Sequence, residues 1–142
     1  VEVFATASCL VDPEIGKAGD VDSALVTLKT ASGKLCQISC SRRAAYGYDQ
    51  RVEAHGSKGM AQITNQLESN LVLSGDNGVV AQKPQHFFLE RYEAAYRIEL
   101  NNFVDCINGK AQPVANTHDG VQSIVLADAA LASLETGKAV IL

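Results

Sequence analysis

The chain changes its hydrophobic period half-way along. From Val1 to Val11 apolar and polar positions alternate, with Val1, Val3, Ala5, Ala7, Cys9 and Val11 on one side and Glu2, Phe4, Thr6 and Ser8 on the other. This is the period-2 signature of a half-buried strand. A turn-rich connector (Asp12-Pro13, Gly16, Gly19) leads into residues 22–31, where Ala24, Val26 and Leu28 oppose Leu25, Thr27 and Lys29. Ser32-Gly33-Lys34 predicts a tight turn into residues 35–43, whose Cys36, Ile38 and Cys40 share a face. Two more hairpins are predicted, 50–55 with 60–65 about Gly56-Ser57-Lys58-Gly59, and 70–74 with 79–82 about Gly75-Asp76-Asn77-Gly78. Hairpins in succession predict an antiparallel meander.

From Phe88 the period becomes helical. Leu89, Tyr92, Tyr96, Leu100, Phe103 and Ile107 form one stripe, and Asn108-Gly109 supplies a left-handed stop. A second helix is predicted to open at Thr117 as N-cap, with Asp119 in its first turn, Ile124, Ala127, Leu131 and Leu134 as its stripe, and Gly137 as its end. Residues 138–142 add a last strand. Strands first and helices later predict an α+β fold: an open, mostly antiparallel sheet with helices packed on one face. Two helices cover one side only. The other side, with Leu25, Thr27, Ala31, Leu35, Gln37 and Ser39, is neither charged enough for a solvated face nor apolar enough for a core, and is predicted to meet a second copy of the chain in a homo-oligomer.

Length and charge narrow the function classes. The 142 residues are one domain's worth, and 12 Lys+Arg against 16 Asp+Glu give a formal net charge of −4. Arg42-Arg43 is the one adjacent basic pair, so a nucleic-acid partner is not expected. No apolar stretch approaches the roughly 20 residues of a membrane span. The four cysteines are too sparse for a disulfide scaffold and no signal peptide opens the chain, so a cytoplasmic location is expected. Cys36 and Cys40 lie about 13 Å apart along a strand, too far for one zinc ion, and are expected to be small buried hydrophobes. No metal is expected. His55, His86 and His118 are scattered, and none has another His or Cys at ligand spacing. The strand pattern is already under way at Val1, with no initiator Met, which suggests a fragment of a longer protein.

The glycines exclude one further chemistry. Three GxxG runs all fall between strands and read as turns, and no two glycines are two apart, so the GxG of a Rossmann fingerprint is absent and a dinucleotide is not expected to bind by that means. The segment that stands out is 41–51, Ser-Arg-Arg-Ala-Ala-Tyr-Gly-Tyr-Asp-Gln-Arg. It packs phenols, guanidinium groups and a carboxylate around a glycine where one strand ends and the next begins, a set suited to a polyhydroxylated ligand. The competing reading is a decorated hairpin end.

Residues 41–59, Ser-Arg-Arg-Ala-Ala-Tyr-Gly-Tyr-Asp-Gln-Arg-Val-Glu-Ala-His-Gly-Ser-Lys-Gly, closely resemble the matching stretch of bacterial inositol 2-dehydrogenases of the Gfo/Idh/MocA family. Phe87-Phe-Leu-Glu-Arg-Tyr92 with Ala95-Tyr96 resembles the same enzymes, as does the tail from Pro113 through Asp119-Gly120 to Val140. The resemblance implies a C-terminal substrate-binding and oligomerisation domain over residues 1–142, with NAD held by an N-terminal Rossmann domain outside this chain. It implies inositol or a related polyol as ligand and oxidation of a ring hydroxyl to a ketone. The family's Glu-Lys-Pro is absent, since Lys83-Pro84 follows Gln82, and so is its Asp-x-x-x-His, so no catalytic residue is expected here and the chain alone is expected to be inactive. Carried over by position, Tyr48 is the first candidate for substrate contact, Tyr46 the second, and Arg43 and Asp49 follow. A stand-alone non-catalytic binding module and a domain of a related sugar dehydrogenase are the alternatives.

Overall fold

A computed structural model describes residues 1–142 as eight strands and three helices. Strands β1 (Glu2–Ser8), β2 (Ser23–Lys29) and β3 (Leu35–Ser41) form an antiparallel ladder, and β8 (Val140–Ile141) returns to pair with the far edge of β1, giving the order β3-β2-β1-β8. The turn into β3 is held by Thr30 and Lys34, and Gly33 takes a φ of +82° there. Ala31 therefore sits in a turn rather than on the sheet face. Between β1 and β2 the connector contains a short helix, α1 (Pro13–Lys17), capped by Asp12, whose side chain accepts from the Glu14 amide at 3.0 Å. Asp followed by Pro is a helix start signal as much as a turn signal.

These strands belong to the first of two compact units, residues 1–43 with 114–142. Its core lies where α3 (Thr117–Thr136) rests on β1 and β8. Val3 and Ala5 are buried on β1, as predicted, against Ala129 and Ser133 of the helix. The predicted α3 stripe is the wrong one. Ile124 and Leu131 are 60% and 55% exposed, and the packed face carries Val125, Leu126, Ala129 and Ser133. Small residues let the helix approach the sheet closely, and Ser133 uses that approach. Its hydroxyl accepts from the Ala5 amide at 3.0 Å and donates to the Lys138 carbonyl at 2.7 Å, joining helix, β1 and the entry to β8. The N-cap is Asn116, not Thr117: Asn116 accepts from the amides of His118 and Asp119, and Asp119 accepts from the Asn116 amide. Cys36 and Cys40 are exposed, not buried as expected. The face opposite α3 carries Phe4, Leu25, Thr27, Leu35 and Gln37, with Leu35 76% exposed.

The second unit is residues 44–113. It holds two separate hairpins, β4 (Val52–Gly56) with β5 (Gly59–Ile63) and β6 (Val72–Gly75) with β7 (Gly78–Ala81), followed by α2 (Phe88–Ile107). The strands thus form three separate sheets rather than one continuous meander. The apolar stripe of α2 is helical as predicted, yet Leu89, Tyr96, Leu100, Phe103 and Ile107 are each more than half exposed. No helix is long and apolar enough to cross a membrane.

Candidate functional site

The segment singled out by its composition, together with residues that pack on it in the second unit, forms two adjacent but different clusters. The first centres on Asp49. Its carboxylate accepts from Arg51 Nε at 2.8 Å, from Arg51 Nη2 at 2.8 Å, from Asn65 Nδ2 at 2.8 Å and from the Tyr46 hydroxyl. Asn65 in turn accepts from the Gln50 amide at 2.8 Å. Arg51 first, then the Tyr46 hydroxyl and Asn65, hold the Asp49 carboxyl far below the usual carboxylate range even though its burial opposes this. The same bond to Asp49 pushes the Tyr46 phenol up. An ionised carboxylate with this many donors is internally satisfied, so Asp49 organises the loop and Tyr46, half exposed, spends its hydroxyl on it.

The second cluster centres on Tyr48. Its amide donates to the Gln85 carbonyl at 2.8 Å, and the Gln85 amide donates to Gln66 at 2.9 Å, so residues 84–85 lie between the Tyr48 loop and residues 66–67. Gly47 makes this approach possible. Its φ is +134°, and a Cβ there would lie 2.6 Å from the Pro84 carbonyl oxygen and 3.0 Å from that of Gln85. The Tyr48 ring meets Tyr92 of α2 edge-on, with centroids 5.7 Å apart and planes at 76°, and the Tyr48 hydroxyl donates to that of Tyr92 at 3.5 Å. Tyr92 meets Tyr96 at 6.1 Å, and the Arg91 guanidinium lies 5.7 Å from the Tyr92 centroid. The bond to Tyr92 first, and then burial, push the Tyr48 phenol up, so it is a neutral donor and acceptor at ordinary pH.

Of the four candidates, the structure joins Tyr46 to Asp49 directly and sets Tyr48 apart with Tyr92. Arg43, at the end of the first unit, is exposed, and its backbone exchanges hydrogen bonds with the Ser41 hydroxyl at 3.2 and 3.3 Å. Sequence reasoning missed Arg51, Asn65 and Tyr92 as partners. Arg51 was inside the segment and Tyr92 inside the Phe87–Tyr92 motif, but nothing local said what either would touch. His55 pairs with Glu53 at 2.9 Å on the surface, and no three His, Cys, Asp or Glu side chains gather as a metal set.

The model described as the C-terminal alpha/beta domain of the oxidoreductase family matches residues 2–142. The chain belongs to the Gfo/Idh/MocA oxidoreductase family. Within it, the chain is 46% identical over 139 residues to a myo-inositol 2-dehydrogenase of Thermotoga maritima, covering 98% of the chain and 42% of that protein. A solved myo-inositol dehydrogenase of Corynebacterium glutamicum superposes with a TM-score of 0.93 at 40% identity, covering the whole chain and 43% of that structure. A scyllo-inositol dehydrogenase of Lactobacillus casei, solved with NAD(H) and scyllo-inositol bound, gives 0.86 at 26% identity, covering 98% of the chain and 41% of that structure. The chain spans about two fifths of the length of the curated relatives it matches. The α+β fold and the open antiparallel sheet expected for a Gfo/Idh/MocA C-terminal domain are therefore correct.

Proposed function

We propose that residues 1–142 are the substrate-binding and oligomerisation domain of an NAD-dependent inositol 2-dehydrogenase. The observation that carries this reading is the 46% identity, across nearly all of the chain, to an enzyme that acts on myo-inositol. The residues of this chain do not fit a dinucleotide: there is no GxG, and neither long helix opens on a glycine-rich turn. NAD is therefore assigned to a Rossmann domain elsewhere in the parent protein, where hydride transfer would also take place. What this chain supplies is recognition of the ring. Tyr48 is assigned to a substrate hydroxyl, because a phenol both donates and accepts, as a secondary alcohol requires. Tyr46 and Asp49, with Arg51, stiffen the loop that presents it, and Arg43 is a flanking candidate. The face carrying Leu25, Thr27, Leu35 and Gln37 is assigned to contact with a second copy, and the location is proposed to be cytoplasmic.

The test is turnover by the full-length protein, followed as NADH absorbance with myo- and scyllo-inositol and with NAD or NADP. Oxidation of an inositol with NAD is expected, and the 142-residue chain by itself is expected to give none. Absence of turnover with every inositol, alongside oxidation of an aldose, would move the assignment to the related sugar dehydrogenases.

A further inference from the structure

We infer that Tyr92 is a specificity-determining residue that pairs with Tyr48 to read two adjacent hydroxyls on the ligand ring. The inference rests on the assignment of Tyr48 to the substrate and adds a residue and a chemical pattern to it: a vicinal diol.

The two phenol oxygens are 3.5 Å apart, longer than the roughly 2.7–2.8 Å preferred by O–H···O bonds, so neither hydroxyl is well satisfied by the other. Neither has another hydrogen-bond partner in the structure. This separates them from Tyr46, which is committed to Asp49. Each phenol keeps donor and acceptor capacity, and the two oxygens are close enough together for each to take one of two neighbouring ring hydroxyls. Both rings are held in place, Tyr48 by its amide bond to Gln85 and the close approach at Gly47, Tyr92 by the edge of Tyr96 and the Arg91 guanidinium. Both are only partly buried, so a ligand can reach them. The two buried side-chain polar atoms without a partner, Gln85 Oε1 and Arg91 Nε, belong to the residue bonded to Tyr48 and the residue preceding Tyr92. Buried polar atoms are normally hydrogen-bonded, so two beside the tyrosine pair in the chain are polar groups that a ligand or its water could satisfy.

The test uses the full-length protein, with Tyr92→Phe, Tyr48→Phe and the double variant assayed against myo-inositol and its monodeoxy derivatives. Tyr92→Phe is expected to lower kcat/KM for inositol by about 5- to 150-fold, the equivalent of about 1–3 kcal/mol for one unpaired hydroxyl, and to leave NAD affinity unchanged. Its defect should vanish with one deoxyinositol, and that of Tyr48→Phe with the derivative lacking the hydroxyl on the adjacent carbon. Wild-type kcat/KM in Tyr92→Phe beside a defect in Tyr48→Phe overturns the pairing and leaves the Tyr48 assignment standing. A Tyr92→Phe defect of equal size with every deoxyinositol reports lost packing and also overturns it. A wild-type protein that oxidises no inositol overturns the functional reading, and the pairing falls with it.

Discussion

Replacing Gly47 with alanine tests whether the backbone, rather than side-chain packing, places Tyr48. Two costs combine. The first is conformational, because a φ of +134° is accessible to glycine and strained for any L side chain, at about 1–3 kcal/mol. The second is steric. The new Cβ would stand 2.6 Å from the Pro84 carbonyl oxygen, and since that atom is backbone it cannot swing aside. The segments must part, and the Tyr48 amide bond to Gln85, worth about 0.5–1.5 kcal/mol net, is the first to be lost. Together these give a destabilisation of roughly 2–4 kcal/mol. Gly78→Ala is the control, because Gly78 also has a positive φ, +114°, yet a Cβ there meets nothing within 4 Å. Thermal unfolding should therefore rank Gly47→Ala below Gly78→Ala by several °C. Hydrogen exchange at the Tyr48 amide should quicken in the first variant alone. Equal melting temperatures for the two variants, or an unchanged Tyr48 amide in Gly47→Ala, would refute the claim that the close approach to residues 84–85 fixes this loop.

Three further perturbations separate structural from functional roles. Asp22 is 4% exposed; burial pushes its carboxyl up, but the amides of Leu10, Asp12 and Val11 and the Ser23 hydroxyl outweigh this and hold it well below the usual range, so Asp22→Asn should be more destabilising than Asp20→Asn at pH 7. Because the folded-state pKa is depressed, the stability it contributes is present above the unfolded value and fades as pH falls. The gap between wild type and Asp22→Asn in urea melts should thus narrow below about pH 4. Tyr48→Phe in the full-length protein should lower kcat/KM for inositol by about 5- to 150-fold with NAD binding intact, whereas Tyr46→Phe should chiefly lower stability, since its hydroxyl serves Asp49. Leu35→Lys places a charge on the exposed sheet face and should raise the monomer fraction in sedimentation velocity; an unchanged distribution would show that this face is not a subunit contact.

Local signals carried most of the architecture. The β1–β3 register follows from strict alternation, because Val3 opposite Leu28 and Ala5 opposite Val26 put one apolar set on the side of α3. The hairpins follow from their turn glycines. Faces were harder to read. In α3, Ile124 and Leu131 make a more hydrophobic stripe than Ala129 and Ser133, yet the less hydrophobic stripe is packed, because close approach of a helix to a sheet favours small side chains over greasy ones. The role of Ser133 was illegible for a related reason. A serine among alanines reads as a neutral helix residue until the strand amide that it serves, far away in sequence, is known.

Tyr46 and Tyr48 show where the sequence stops discriminating between candidate site residues. They are two positions apart and share a motif, and only the resemblance ranks one above the other. Their different fates depend on contacts that local spacing does not encode. Asp49 lies next to Tyr48 in the chain, but the loop presents its carboxylate to Tyr46, and Arg51 and Asn65 complete the donor set around it. Tyr48 is left facing Tyr92, a residue on a different element, through a contact too long to satisfy either phenol. A hydroxyl that is spent inside the fold and one that remains available to a ligand carry the same letter in the sequence. Their bonding partners separate them, and those partners are assembled by the turn at Gly47 and the docking of residues 84–85.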